Sequence, residues 1–144
     1  MLQLGHLVEG TWVAIRVLVV DDVEDLRALF RMLLENDGRF EVVGEAGDGE
    51  EGVAQARALR PDVIVLDVAM PRMDGIRAIP LIHQASPGVR ILVVSGFETE
   101  RIADQAIDAC ATAFLSKGVA PNEIVETLHD VFLSAPKKVC AIPA

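Results

Sequence analysis

Residues 15–22 read Ile-Arg-Val-Leu-Val-Val-Asp-Asp, and the character of this stretch decides the fold. Ile15–Val20 is nearly continuous in apolar, β-branched residues rather than alternating, which suits a strand buried on both faces of a parallel sheet. Two carboxylates close it. Working outward, Val63–Leu66, Val89–Val94 and Thr112–Leu115 share the same character. Phe40-Glu-Val-Val43 alternates more and reads as an edge strand.

Helical periods fill the gaps. Leu26, Leu29, Phe30, Leu33 and Leu34 recur at helical spacing, and Asn36-Asp37-Gly38 supplies a C-terminal cap. Asp48 with Glu51 three residues later resembles a capping box ahead of Val53, Ala56 and Leu59. Asp74-Gly75 opens a third helix, but Pro80 removes an interior amide donor and predicts a kink or a late start. Ile102, Ala106, Ile107 and Cys110 make a fourth helical face. Pro121 suits the first turn of a fifth, which carries Ile124, Val125, Leu128, Val131 and Phe132. The order is β-α repeated five times, without internal linker or repeat. It implies a doubly wound α/β domain, a parallel sheet with helices on both faces and right-handed crossovers.

Composition narrows the function. The 144 residues suit one domain, and 51% hydrophobic content is enough for a two-sided core. A net charge of −9 disfavours a phosphate-backbone binder, and 4% aromatics with no tyrosine disfavours a base-stacking platform. No nucleic acid is expected to bind this chain. Cys110 and Cys140 lack metal-ligand spacing and are expected to be reduced thiols. No apolar run reaches the roughly 20 residues of a membrane span, and no secretory signal precedes Trp12, so a cytoplasmic protein with no membrane contact is expected.

In doubly wound sheets ligands bind beyond the carboxyl ends of the strands. There the chain places Asp21 and Asp22, Asp67, Ser95, and finally Ser116-Lys117. Three converging carboxylates repel one another, and a hard divalent cation such as Mg2+ relieves the repulsion. A carboxylate beside such a cation can attack phosphorus, which makes Asp67 a candidate nucleophile. Lys117 and the Ser95 hydroxyl would then hold the transferred phosphoryl oxygens. Lys117 is the one lysine inside the fold, since Lys137 and Lys138 lie in the tail and the other basic residues are arginines. Blander readings exist for each residue: an N-cap for Asp21-Asp22, a solvated surface lysine, an ordinary turn hydroxyl for Ser95.

Taken together, Val-Leu-Val-Val-Asp21-Asp22, Val-Ile-Val-Leu-Asp67-Val-Ala-Met-Pro71-Arg-Met-Asp-Gly75, Val-Val-Ser95-Gly and Phe114-Leu-Ser-Lys117 resemble the receiver domain of two-component response regulators. The resemblance runs from about Ala14 to Leu133. It implies a flavodoxin-like (βα)5 fold with strand order 2-1-3-4-5, and phosphorylation at Asp67 by a histidine kinase or phosphotransfer protein. It further implies Mg2+ ligation by Asp22, Asp67, the Ala69 backbone carbonyl, and Asp21 directly or through water. Ser95 and Lys117 would contact the phosphoryl group, and Ser95 with Phe114 would form the switch. That switch would act on the face of the fourth helix, fifth strand and fifth helix, where an output protein or domain, or a second copy in a homodimer, would dock. Lys117 is followed by Gly118 where many receivers have proline, which leaves that peptide's geometry open, since a cis bond costs about 2.5–4 kcal/mol without proline.

The expected organisation is an extension over residues 1–13, a receiver over 14–134 and a tail over 135–144. Residues 1–12 match nothing in the receiver pattern and read as upstream read-through or a short docking segment. The expectation is a stand-alone receiver, with a truncated receiver of a transcriptional regulator as the alternative. A phosphate-ester hydrolase with an aspartyl nucleophile fits less well, because Val68 and Ala69 follow Asp67 where such enzymes commonly place a second acid. A degenerate interaction scaffold would have lost an acid, the hydroxyl or the lysine, and none is lost. No Gly-rich turn follows a strand, which sets aside dinucleotide binding.

Overall fold

The computed structural model describes residues 6–96 and 100–135. The expectations for Cys140, Lys137, Lys138 and the tail from residue 136 lie outside these residues. The elements are β1 (His6–Val8), β2 (Thr11–Val13), β3 (Ile15–Val20), α1 (Glu24–Asp37), β4 (Phe40–Ala46), α2 (Gly49–Leu59), β5 (Val63–Leu66), α3 (Gly75–Ala85), β6 (Arg90–Ser95), α4 (Glu100–Asp108), β7 (Ala113–Ser116) and α5 (Pro121–Leu133).

Strands β3 to β7 form one parallel sheet in the order β4-β3-β5-β6-β7. This is the flavodoxin-like order 2-1-3-4-5 once the two N-terminal strands are set apart. The continuous apolar runs are explained by burial on both sides. Ile15, Val17 and Val19 face Phe30 and Leu34 of α1 and Leu128 and Val131 of α5. Leu18 and Val20 face the layer that holds Ala56 of α2, Ile79 and Ile82 of α3, and Ala106 of α4. Period-two alternation therefore persists geometrically, while both phases need apolar side chains.

Several helix ends behave as their residues predict. Gly38 closes α1 at φ 91°, a left-handed conformation glycine adopts without a Cβ penalty. Asp48 caps α2 by accepting from the Glu51 amide at 2.8 Å, and Pro121 starts α5. Helix α3 begins at Gly75 with Asp74 as its cap and runs through Pro80, so the predicted late start does not occur. On α4, Ile107 is exposed and Cys110 lies past the helix end at φ 80°, so the buried face is narrower than the sequence pattern. Leu29 of α1 is likewise exposed. Cys110 is disulfide-bonded, not a free thiol, a feature that spacing in the sequence does not report.

The segment before β3 is structured where it is described. β1 and β2 pair antiparallel with His6 opposite Val13, around a turn in which Glu9 and Gly10 both take positive φ. The His6 ring packs against Phe132 of α5, with ring centroids 4.8 Å apart. No helix among the described residues is long and apolar enough to cross a membrane.

Candidate functional site

The chain reverses direction of travel across the sheet at β3, which lies between β4 and β5. The crevice therefore opens beyond the carboxyl ends of β3 and β5. Asp21 is the residue after β3 and Asp67 the residue after β5. Both are held by the ladder they terminate: the Asp21 amide donates to the Ala46 carbonyl at 3.0 Å, and the Asp67 amide to the Val20 carbonyl at 2.9 Å. Each is almost fully buried, whereas Asp22 is exposed.

The side chains converge. Oxygen atoms of Asp21, Asp22 and Asp67 all lie within 4.8 Å of one another. Lys117, the residue after β7, extends its Nζ to 2.8 Å from Asp21 Oδ2 and 3.2 Å from Asp67 Oδ1. Its amide is anchored by donating to the Ser95 carbonyl at 2.9 Å. Asp21 Oδ1 accepts from the Val23 amide, and Asp67 Oδ1 from the Val68 amide, each at 2.9 Å. Asp21 thus does not cap α1: the N-cap position is Val23, with no side-chain cap. The reading of Lys117 as a solvated surface lysine also fails.

Electrostatically the site is under-compensated. Three carboxylates face one ammonium, a formal charge of −2. Burial and the neighbouring Asp21 charge push the Asp67 carboxyl above its ordinary range, and the Lys117 ammonium only partly opposes this. Burial pulls the Lys117 pKa down, but its hydrogen bonds to and the charges of Asp21 and Asp67 outweigh burial and raise it, so Lys117 is cationic at neutral pH. Asp21 Oδ2 is a buried oxygen that no hydrogen-bond donor satisfies apart from its ion pair with Lys117. A residual charge of −2, all-oxygen donors and a poorly satisfied buried oxygen fit a hard divalent cation.

The remaining predicted residues lie at the end of β6, on β7 and in the loop after β5. Ser95 ends β6, is fully buried, and is in register with Ser116 of β7. Phe114 lies in β7 opposite Val93, partly buried and packed against the layer that holds Ala106 of α4. Ala69 is exposed in the loop between β5 and α3. The Lys117–Gly118 peptide is trans, as are all peptides among the described residues.

Two features escape the sequence. At Gly75 a Cβ would overlap the Asp67 carbonyl oxygen, and the Gly75 amide donates to Val68 at 2.8 Å, so glycine lets α3 start against the backbone of Asp67. The second is Arg72, whose guanidinium forks onto the buried Asp48 carboxylate at the start of α2, with Nε 2.9 Å from Oδ2. Asp48 reads from sequence only as a cap, and nothing local links it to a residue 24 positions away.

Comparisons with known proteins place the chain among proteins of one family and fold. Residues 17–129 match the family model described as the response regulator receiver domain. The chemotaxis protein CheY of Thermotoga maritima is 37% identical over 116 residues, covering 81% of this chain and 96% of that protein. The transcriptional regulatory protein YxjL of Bacillus subtilis is 38% identical over 115 residues, and a protein-glutamate methylesterase of Geobacter sulfurreducens 45% over 110. The match covers 80% of this chain but 53% of YxjL, and 75% of this chain but 30% of the methylesterase. Among solved structures, the response regulator domain of Thermotoga maritima CheB superposes with a TM-score of 0.79 at 33% identity, covering 85% of this chain and 99% of that one.

Proposed function

The chain belongs to the response regulator receiver family of two-component signalling, and from that premise we propose that it accepts a phosphoryl group on the Asp67 carboxylate. The observation that carries the reading is the Lys117 ammonium bridging Asp21 and Asp67 beside Asp22. An Asp67 carboxylate oxygen attacks phosphorus of a phosphohistidine on a histidine kinase or phosphotransfer protein. The new O–P bond forms as the N–P bond breaks, and the histidine nitrogen leaves with the electron pair. Lys117 holds the charge of the incoming oxygens, and the Ser95 hydroxyl, at the end of the neighbouring strand, donates to one of them. Asp21, Asp22, Asp67 and the Ala69 carbonyl would hold Mg2+, which when bound neutralises phosphoryl charge.

Receiver domains are in general signalling modules, and this chain has no small-molecule substrate beyond a phosphodonor, its turnover being limited to its own phosphorylation and dephosphorylation. Movement of Ser95 toward the phosphoryl group leaves room that Phe114 can fill, which couples the site to the α4–β7–α5 face. Phe114 has no hydroxyl, so this switching works by packing. That face docks an output protein or domain, or a second copy. The receiver unit is assigned to residues 14–134, flanked by an extension (1–13) and a tail (135–144). A kinase-facing role places it in the cytoplasm, where reducing conditions would open the bond at Cys110.

The test is intact-protein mass after incubation with acetyl phosphate and Mg2+. The expected result is a gain of one phosphoryl group that is lost with EDTA and in Asp67→Asn. A gain retained in that variant would contradict the site, and no gain together with no beryllofluoride binding would contradict the function.

A further inference from the structure

The loop from Val68 to Asp74 joins Asp67 to α3 and carries Ala69. It is fastened at its far end to a different element. The Gly49 amide, first in α2, donates to the Met73 carbonyl at 3.0 Å, and a Cβ on Gly49 would come within 2.5 Å of that oxygen. Next to this contact the Arg72 guanidinium clasps Asp48 through Nε and Nη2. Asp48 is 2% exposed. Its other oxygen accepts from the Glu51 amide, so one carboxylate both caps α2 and receives the loop. That amide bond first, and Arg72 next, hold the carboxyl below its ordinary range.

Arg72 takes φ 64°, a conformation a non-glycine residue holds only where surrounding contacts over-determine it. The Met73 amide donates to the Pro71 carbonyl at 2.7 Å and closes a tight turn around Arg72, while the clasp on Asp48 holds its side chain. If the clasp is released, the loop loses its side-chain tie to α2 and keeps the Gly49–Met73, Met73–Pro71 and Gly75–Val68 hydrogen bonds and the packing of Val68, Met70 and Met73 on the core. Ala69 has no apolar burial of its own to hold it, being exposed.

We propose that Arg72 and Asp48 are positioning residues that latch this loop to the start of α2 and so hold the Ala69 carbonyl in place beside Asp21, Asp22 and Asp67. The proposal rests on the phosphoacceptor reading, because it concerns how the cation is received. Neither residue touches the acid cluster. They act through backbone placement, in the way outer partners orient metal ligands.

The experiment is a calorimetric Mg2+ titration of the full chain as wild type, Arg72→Ala, Arg72→Lys, Asp48→Asn and the Arg72→Ala/Asp48→Asn double variant. Asparagine is as good an N-cap as aspartate, so Asp48→Asn keeps α2 while weakening the clasp. The latch predicts a Mg2+ dissociation constant about 10-fold weaker in Arg72→Ala and a double variant no worse than either single one. Arg72→Lys should recover part of the loss. Amide exchange in residues 68–74 of the Mg2+-free protein should quicken in Arg72→Ala while the β3 and β5 amides stay protected. Wild type that binds Mg2+ together with Arg72→Ala within twofold of it would overturn the latch and leave the phosphoacceptor reading standing. Additive losses in the double variant would overturn it too. Wild type that binds no Mg2+ would sink both.

Discussion

Replacing Lys117 with methionine should destabilise the Mg2+-free protein in a way that depends on pH. Nζ stands 2.8 Å from Asp21 Oδ2 and 3.2 Å from Asp67 Oδ1. At an effective dielectric of about 20 each attraction is on the order of 5–6 kcal/mol before any cost is counted. Most of that offsets the desolvation of three charges. What remains observable is the cost of stripping one partner from a buried ionic group, about 3–5 kcal/mol. Because the Lys117 side chain is 23% exposed, water screens part of the interaction and the lower end, about 3 kcal/mol, is expected. In a domain of this size that corresponds to a fall in Tm of about 10 °C.

Methionine keeps the stem and removes the charge, so the loss should be electrostatic. Raised above 10.5, the Lys117 pKa keeps its contribution present at neutral pH and loses it only as pH rises through the folded-state value. On the acid side the deficit shrinks as Asp67, whose pKa is raised by burial first and Asp21 second, takes up a proton and no longer needs a cation. The assay is thermal unfolding of both proteins in EDTA across acid and neutral pH. A deficit that stays constant with pH, or a neutral-pH Tm within about 2 °C of wild type, would refute the electrostatic reasoning. Removing the ammonium also strips positive charge from the site, so Mg2+ should bind the variant more tightly although phosphorylation is lost.

Asp67→Asn should raise the Tm of the Mg2+-free protein at neutral pH. Burial first and Asp21 second raise the Asp67 pKa above 3.8, so its favourable contribution is complete below that pH and is lost as pH rises through the folded-state value. Melting curves should therefore converge in acid, and an asparagine variant less stable than wild type at pH 7 would contradict this. Gly75→Ala should cost about 1–3 kcal/mol in urea unfolding, since the new Cβ meets the Asp67 backbone rather than a flexible side chain; an unchanged midpoint would show that α3 can shift freely. Leu128→Ala, at a fully buried position between α5 and the sheet, should cost about 2–5 kcal/mol in the same assay without changing Mg2+ affinity.

What could be read from the sequence depended on how local the cause was. Ile15–Val20 and Val63–Leu66 end in the structure where their apolar runs end, because a two-sided burial leaves a continuous trace in the chain. Asp21, Asp67 and Lys117 could be placed because each directly follows a strand, and strand ends in a parallel sheet share one edge. Pro80 misled as to where α3 starts, since the Asp74 side chain, accepting from the Arg77 amide, fixes the start at Gly75 instead. Ile107 and Leu29 carried the right period but stand beyond the reach of the opposing layer. The β1–β2 hairpin was hidden by its brevity and by exposed Leu7 and Trp12, which leave no clean in-out pattern. The Arg72–Asp48 clasp had no local signature at all, because it joins two loops through tertiary approach alone.

The central claim is that one named carboxylate receives the phosphoryl group. Trapping the phosphorylated protein with borohydride converts an acyl phosphate to an alcohol, so mass-spectrometric peptide mapping should find homoserine at position 67 and aspartate still at 21 and 22. Homoserine at position 21 or 22, with Asp67 unmodified, would contradict it.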